Sequence, residues 1–131
     1  KSGTSQLIFV FLNLVGEVDV YQVNHHGLDQ SNNPLLVRSL APTISVMSNG
    51  TRKGCEPMTF ATLKSIPSIQ AMYQVHRNLR PDAENNTSPE FIANLEAQCQ
   101  ANYLKLSVDP TGKTFTMTIP AKGHKRTFQT K

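Results

Sequence analysis

Residues 18–27 read Val-Asp-Val-Tyr-Gln-Val-Asn-His-His-Gly, and this stretch narrows the fold more than any other in the chain. Branched and aromatic side chains pack well on a pleated surface, so residues 18–23 predict a buried or half-buried strand. His25 and His26 arrive at its C-terminal end, where the chain must turn. Gly27 allows a sharp bend with no Cβ to obstruct a ligand. Neutral imidazole is the commonest protein metal ligand, and a strand end mounts it rigidly. The stretch therefore predicts a histidine corner that the rest of the chain supports.

Downstream, residues 28–33 are polar and end in a helix start, with Asn33 as cap and Pro34 in the first turn. Leu36, Val37 and Leu40 share one face of a helix over residues 34–40, which stops at Ala41-Pro42. Alternation and β-branching over residues 43–47 predict the next strand, closed by Ser48-Asn49-Gly50. Strand, helix and strand make a βαβ unit, whose strands are parallel and whose crossover is right-handed. That arrangement brings His25, His26 and Asn49 to one sheet edge, the carboxyl edge where open α/β sheets bind ligands. Beside it lies a basic loop, residues 51–57, carrying Arg52 and Lys53.

Farther on, a short helix is expected over residues 59–65, with Phe60, Leu63 and Ile66 inward, and a strand over residues 69–76. Residues 79–87 read as loop. Thr87 and Glu90 form a capping box with Pro89 in the first turn, predicting a helix to about Gln98. Asp109-Pro110-Thr111-Gly112 is a strong turn signal between strands at residues 103–108 and 114–119, a β-hairpin. Residues 122–131 hold Lys122, Lys125, Arg126 and Lys131 and read as a solvated tail. At the other end, residues 6–15 are apolar on both faces, which suits a buried strand, a short buried helix or, at a chain start, a sticky edge.

Residues 18–50, VDVYQVNHHGLDQSNNPLLVRSLAPTISVMSNG, resemble the late part of metallo-β-lactamase-fold hydrolases, around the last metal-binding histidine. The likeness is to the branch with a strand, His-His-Gly, a helix and a strand ending in Asn-Gly, as in hydrolase domains of bacterial DNA-uptake proteins and several exported hydrolases. It covers residues 16–66 well and the remainder loosely. The family's early H-x-H-x-D-H motif is absent from the sequence, as are a recognisable middle histidine and the bridging aspartate. The resemblance thus implies an α/β chain that is the C-terminal half of an αββα sandwich, one partial domain over residues 1–131, ending in the hairpin. It implies metal-dependent hydrolysis of an ester, phosphodiester or lactam-type bond, with zinc as cofactor. His26 takes the role of metal ligand in this likeness, and His25 that of a catalytic group that either supports the metal's ligands or contacts substrate, stabilising charge on the leaving or attacked oxygen.

From the residues themselves, the amide of Asn49 is placed to bind substrate or orient a histidine, though Asn-Gly is first a turn. Arg52 and Lys53 are placed to take a phosphate group at the mouth of the site. Asp29 reads as a loop or cap residue, Glu56 as a solvated acid, His76 as a strand-end histidine and His124 as part of the tail. A different class of function stands beside hydrolysis: a non-catalytic remnant, or a subunit that completes its fold by oligomerisation. Net charge of +4 gives weak attraction to nucleic acid, without the aromatic-basic interleaving of a nucleic-acid-binding module. Residues 7–12 are too few to span a bilayer, so a soluble chain is expected, with export left open. Cys55 and Cys99 form no C-x-x-C motif and are expected to be free thiols, Cys55 in a loop and Cys99 on a helix.

Overall fold

A computed structural model describes residues 15–82 and 84–131. Apart from Val15, the apolar run of residues 6–15 lies outside the described residues. Among the described residues beyond Val15 there are seven strands and two α-helices: β1 (Val20–Gln22), α1 (Pro34–Leu40), β2 (Ile44–Met47), α2 (Pro57–Lys64), β3 (Ala71–His76), β4 (Ile92–Asn94), β5 (Lys105–Val108), β6 (Thr114–Ile119) and β7 (His124–Gln129). Strands β1 to β4 form a parallel sheet in chain order, with Val20 opposite Ile44, Ile44 opposite Ala71 and Gln74 opposite Ile92. The other three make an antiparallel sheet in the order β5-β6-β7. This is a mixed α/β fold.

Side-chain alternation explains the layering. Val20, Ile44, Val46, Ala71 and Tyr73 pack toward Phe115, Met117, Ile119 and Phe128 of the second sheet. Tyr21, Met47 and Met72, one residue out of step, pack toward Val37 of α1 and Phe60 and Leu63 of α2. Crossovers of one hand that step the same way each time keep the helices on one face. Helices, parallel sheet and antiparallel sheet therefore stack in that order.

Helix α1 starts as its residues require. Asn33 Oδ1 accepts from the N–H groups of Leu35 at 2.9 Å and Leu36 at 3.3 Å, and Pro34 needs no donor partner. Asn33→Ala is expected to lower stability by about 1 kcal/mol in urea denaturation, while Asn33→Asp stays within a few tenths. Equal stability of the alanine variant would remove the cap from the account.

Two expectations are corrected. No helix follows Thr87: a single 3-10 turn, Pro89–Phe91, leads into β4, which pairs with β3. Thr87 N–H donates instead to Gln74 Oε1 at 2.6 Å, and Ile92, Ala93 and Asn94 are all buried. Completing the parallel sheet buries more than a surface helix would, so tertiary pairing overrides the capping signal. Cys99 accordingly lies in the loop beyond β4 rather than on a helix. The basic tail, likewise, is the strand β7, paired with β6 along its length. Phe128 is its anchor, stacked on Phe115 with centroids 5.3 Å apart. The hairpin β5–β6 forms as expected, with Gly112 N–H donating to Asp109 O at 2.8 Å across the turn.

Candidate functional site

Past β1 the chain makes a tight turn, Asn24–Gly27, in which His25 (φ 46°), His26 (φ 62°) and Gly27 (φ 89°) are all left-handed. Glycine adopts that conformation freely, but for each histidine it costs about 1–3 kcal/mol and persists only when the surroundings dictate it. Here the dictating residue is Asn32, buried beside the turn. Its Oδ1 accepts from Tyr21 Oη at 2.8 Å and from Asn24 N–H at 3.0 Å, and its Nδ2 donates to Asn24 O at 3.0 Å and Leu28 O at 2.7 Å. Every polar capacity of that amide is used. Burial raises the Tyr21 phenol above its ordinary pKa, so it remains a donor.

The turn sets the histidines apart in role. His26 Nδ1 lies 2.7 Å from Ser48 O, an atom that only accepts, so Nδ1 carries the proton and Nε2 offers its lone pair. His25 Nδ1 sits 3.2 Å from Ser31 Oγ. The two rings are 5.7 Å apart and inclined by 55°.

Against this corner docks the loop that follows β2. Cys55 N–H donates to His26 O at 3.0 Å and Glu56 N–H to Gly27 O at 2.9 Å. Gly54 makes the approach feasible, since a Cβ there would lie 1.9 Å from His26 O. Arg80 fastens the loop from behind: its guanidinium donates to Gly54 O and Cys55 O and pairs with Asp82. Burial pushes the Cys55 thiol pKa up to about 12, leaving it neutral, and it donates to Asn85 O at 3.0 Å. In front of the loop an open cleft of about 360 Å³ is lined by Arg52, Lys53, Gly54, Glu56, Arg80 and Asp82, among others.

The segments that carry His25–His26 and Arg52–Lys53 both follow the carboxyl ends of their strands and are joined through backbone, but neither histidine lines the cleft at Arg52 and Lys53. Asn49 is used differently from the substrate contact expected of it. Buried, it donates through Nδ2 to His76 O at 2.7 Å and Gly50 O at 3.1 Å, and its Oδ1 accepts from His76 N–H at 3.4 Å. Its burial leaves no open face for a substrate, and of the two roles expected of it the amide orients a histidine, through the backbone of His76. Asp29 is a cap, but of α2: its carboxylate accepts from Thr59 N–H at 2.7 Å and Met58 N–H at 3.3 Å. Glu56, expected as a solvated acid, is half-buried at the cleft and accepts from Asp29 N–H at 2.6 Å. Nothing in the sequence flagged Asn32 or Arg80, because a polar side chain that bonds backbone of another segment carries no pattern of its own.

Among the described residues, no three His, Cys, Asp or Glu side chains come together in a way that holds a metal ion. His26 fits a metal ligand by its tautomer, yet the donor set around it falls short of the three protein ligands zinc usually takes. Nor, among the described residues, is any helix long and apolar enough to cross a membrane. Both cysteines are free. No family model, curated protein or solved structure matches this chain.

Proposed function

We propose that this chain is the C-terminal portion of a metallo-β-lactamase-like hydrolase. Its bond class is ester, phosphodiester or lactam-type, and His26 is one ligand of a zinc site whose other ligands come from another chain or from sequence beyond these 131 residues, since residues 1–14 and 83 include no His, Cys, Asp or Glu. One observation carries the reading. Three successive left-handed residues hold a histidine at the carboxyl edge of a parallel sheet, with its Nδ1 proton committed to a carbonyl. Backbone strain of that kind gathers at functional sites, and a fixed Nδ1–H is how proteins orient an imidazole for a metal. The helix–sheet–sheet stack supports it as three of the four layers of an αββα sandwich. In this reading His25 faces the reacting oxygen, and Arg52 and Lys53 attract the anionic part of a substrate. With one fitted ligand, no hydrolytic step is assigned to this chain alone.

Metal content is the test. Zinc retained by protein purified without chelator or affinity tag, read by elemental analysis and lost in His26→Ala, would show that the corner is live and recruits its other ligands from a second chain. A folded, metal-free wild type would overturn metal-dependent hydrolysis by this chain alone. A second reading, a non-catalytic subunit that completes its fold by oligomerisation, is favoured by the exposed apolar side chains of Tyr103, Leu106 and Val108 along and beside β5. Sedimentation showing a metal-free dimer would select it.

A further inference from the structure

Two strands away from the His-His corner, at the ends of β3 and β4, a second constellation stands apart from the proposed metal ligand. His76 closes β3, and its Nε2 lies 3.6 Å from the sulfur of Cys99. Cys99 is exposed, and its sulfur also accepts the N–H of Ala101 at 3.2 Å. Both partners are held in place from below. Asn49 grips the backbone N–H and C=O of His76. Asn94 Nδ2 donates to Val75 O and Asn102 O, both at 2.9 Å, and its Oδ1 accepts from Asn102 N–H at 3.0 Å. Asn102 Nδ2 donates in turn to Ala93 O at 3.1 Å. Both ends of the loop that carries Cys99 are therefore tied to the sheet edge, so a fixed frame presents the sulfur to the imidazole Nε2.

The imidazole itself supplies an independent observation. His76 Nδ1 is buried and has no hydrogen-bond partner. A ring nitrogen in that state is costly and is ordinarily matched to a carbonyl or carboxylate, as Nδ1 of His26 is matched to Ser48 O. No inner partner pins the tautomer of His76. Its hydrogen bonding is made through Nε2 and the sulfur, an arrangement suited to passing a proton between them. Cys55 offers the contrast within one chain: buried, neutral and bonded to a carbonyl.

We propose that Cys99 and His76 form a thiol–imidazole pair that takes up small organic disulfides, making Cys99 a site of reversible S-thiolation. The Cys99 sulfur attacks one sulfur of the disulfide as its proton passes to His76 Nε2. A new S–S bond to Cys99 forms and the S–S bond of the reagent breaks. The electron pair leaves on the departing sulfur, which takes the proton from Nε2 and departs as a thiol. The Cys99 sulfur is oxidised and the departing sulfur reduced, so no further oxidant enters. The proposal is independent of the metal-site reading, since neither residue is among that site's ligands.

Oxidised glutathione is the probe, with adduct formation followed by intact mass and located by peptide mapping. A synthetic peptide of residues 95–103 gives the rate of the same thiol without the frame. Folded protein is expected to react at Cys99 at least about ten-fold faster than the peptide, with Cys55 unmodified. His76→Ala is expected to fall to the peptide rate and to recover in part when free imidazole is added, which a merely structural role for the ring would not produce. Far-UV circular dichroism shows whether that variant is folded, and the wild type against the peptide keeps the test decisive if it is not. Equal rates for protein and peptide, an unaltered rate in His76→Ala, or no response to imidazole would each overturn the proposal.

Discussion

Gly54→Ala is expected to destabilise the protein by roughly 3–5 kcal/mol in chemical denaturation, combining an overpacking cost with a left-handed backbone cost. The added Cβ would lie 1.9 Å from His26 O and 2.7 Å from His26 C, with φ at +79°. Backbone atoms cannot swing aside as the end of a flexible side chain does. Separating the segments breaks the bond from Cys55 N–H to His26 O and, beside it, that from Glu56 N–H to Gly27 O. Gly112→Ala is the control. Its φ is +71°, yet nothing lies within 4 Å of its Cβ position, so it carries the conformational cost alone, about 1 kcal/mol. The difference between the two variants measures how tightly the loop presses on the histidine corner. Equal destabilisation would mean that it does not dock there.

That docking marks the limit of what the sequence discloses. The strand into His25-His26-Gly27, the Asn33-Pro34 helix start, the parallel strand over Ile44–Met47 and the Asp109 to Gly112 turn were legible, because each is written in neighbouring residues. Propensity, capping and turn chemistry act over a few positions, and there they agree with the fold. Where long-range pairing competes with local preference, the local reading loses. Thr87 and Glu90 look like a capping box, but the side of Gln74 that faces them claims the Thr87 N–H, and the edge of β3 claims residues 92–94 as a strand. In β7 the charges of Lys125 and Arg126 conceal a period of two whose only large apolar member is Phe128. For the candidate site, the histidines and the basic loop were legible by type and position. Their supports were not: Asn32 and Arg80 are polar residues whose side chains bond backbone of other segments. Such partners become visible only once the sheet has placed them.

Arg80→Met is expected to cost about 2–3 kcal/mol at neutral pH, less than a fully buried pair because a quarter of the Asp82 side chain is exposed. The guanidinium makes a forked pair with Asp82, Nε to Oδ1 and Nη2 to Oδ2, both at 2.9 Å. It also donates to Gly54 O and to Cys55 O. Methionine keeps much of the volume and removes all of these bonds, leaving a carboxylate and two carbonyls short of donors. Lysine cannot restore the fork. The loss should depend on pH in a definite direction. The Arg80 hydrogen bonds hold the Asp82 carboxyl well below the usual carboxylate range. A group whose folded value is depressed contributes stability that is present above its unfolded value, near 3.9, and is lost as pH falls toward the folded one. Wild type should therefore lose stability below about pH 5 in a component that Arg80→Met lacks, so the gap between the two narrows from pH 7 to pH 3. Asp109, lowered by its bonds to Thr111, titrates in the same sense in both proteins and cancels in the difference. A gap that stays constant with pH would detach Asp82 from the clamp. A gap that closes places the charge of one aspartate behind the shape of the loop, and the loop behind the strained backbone that presents His26.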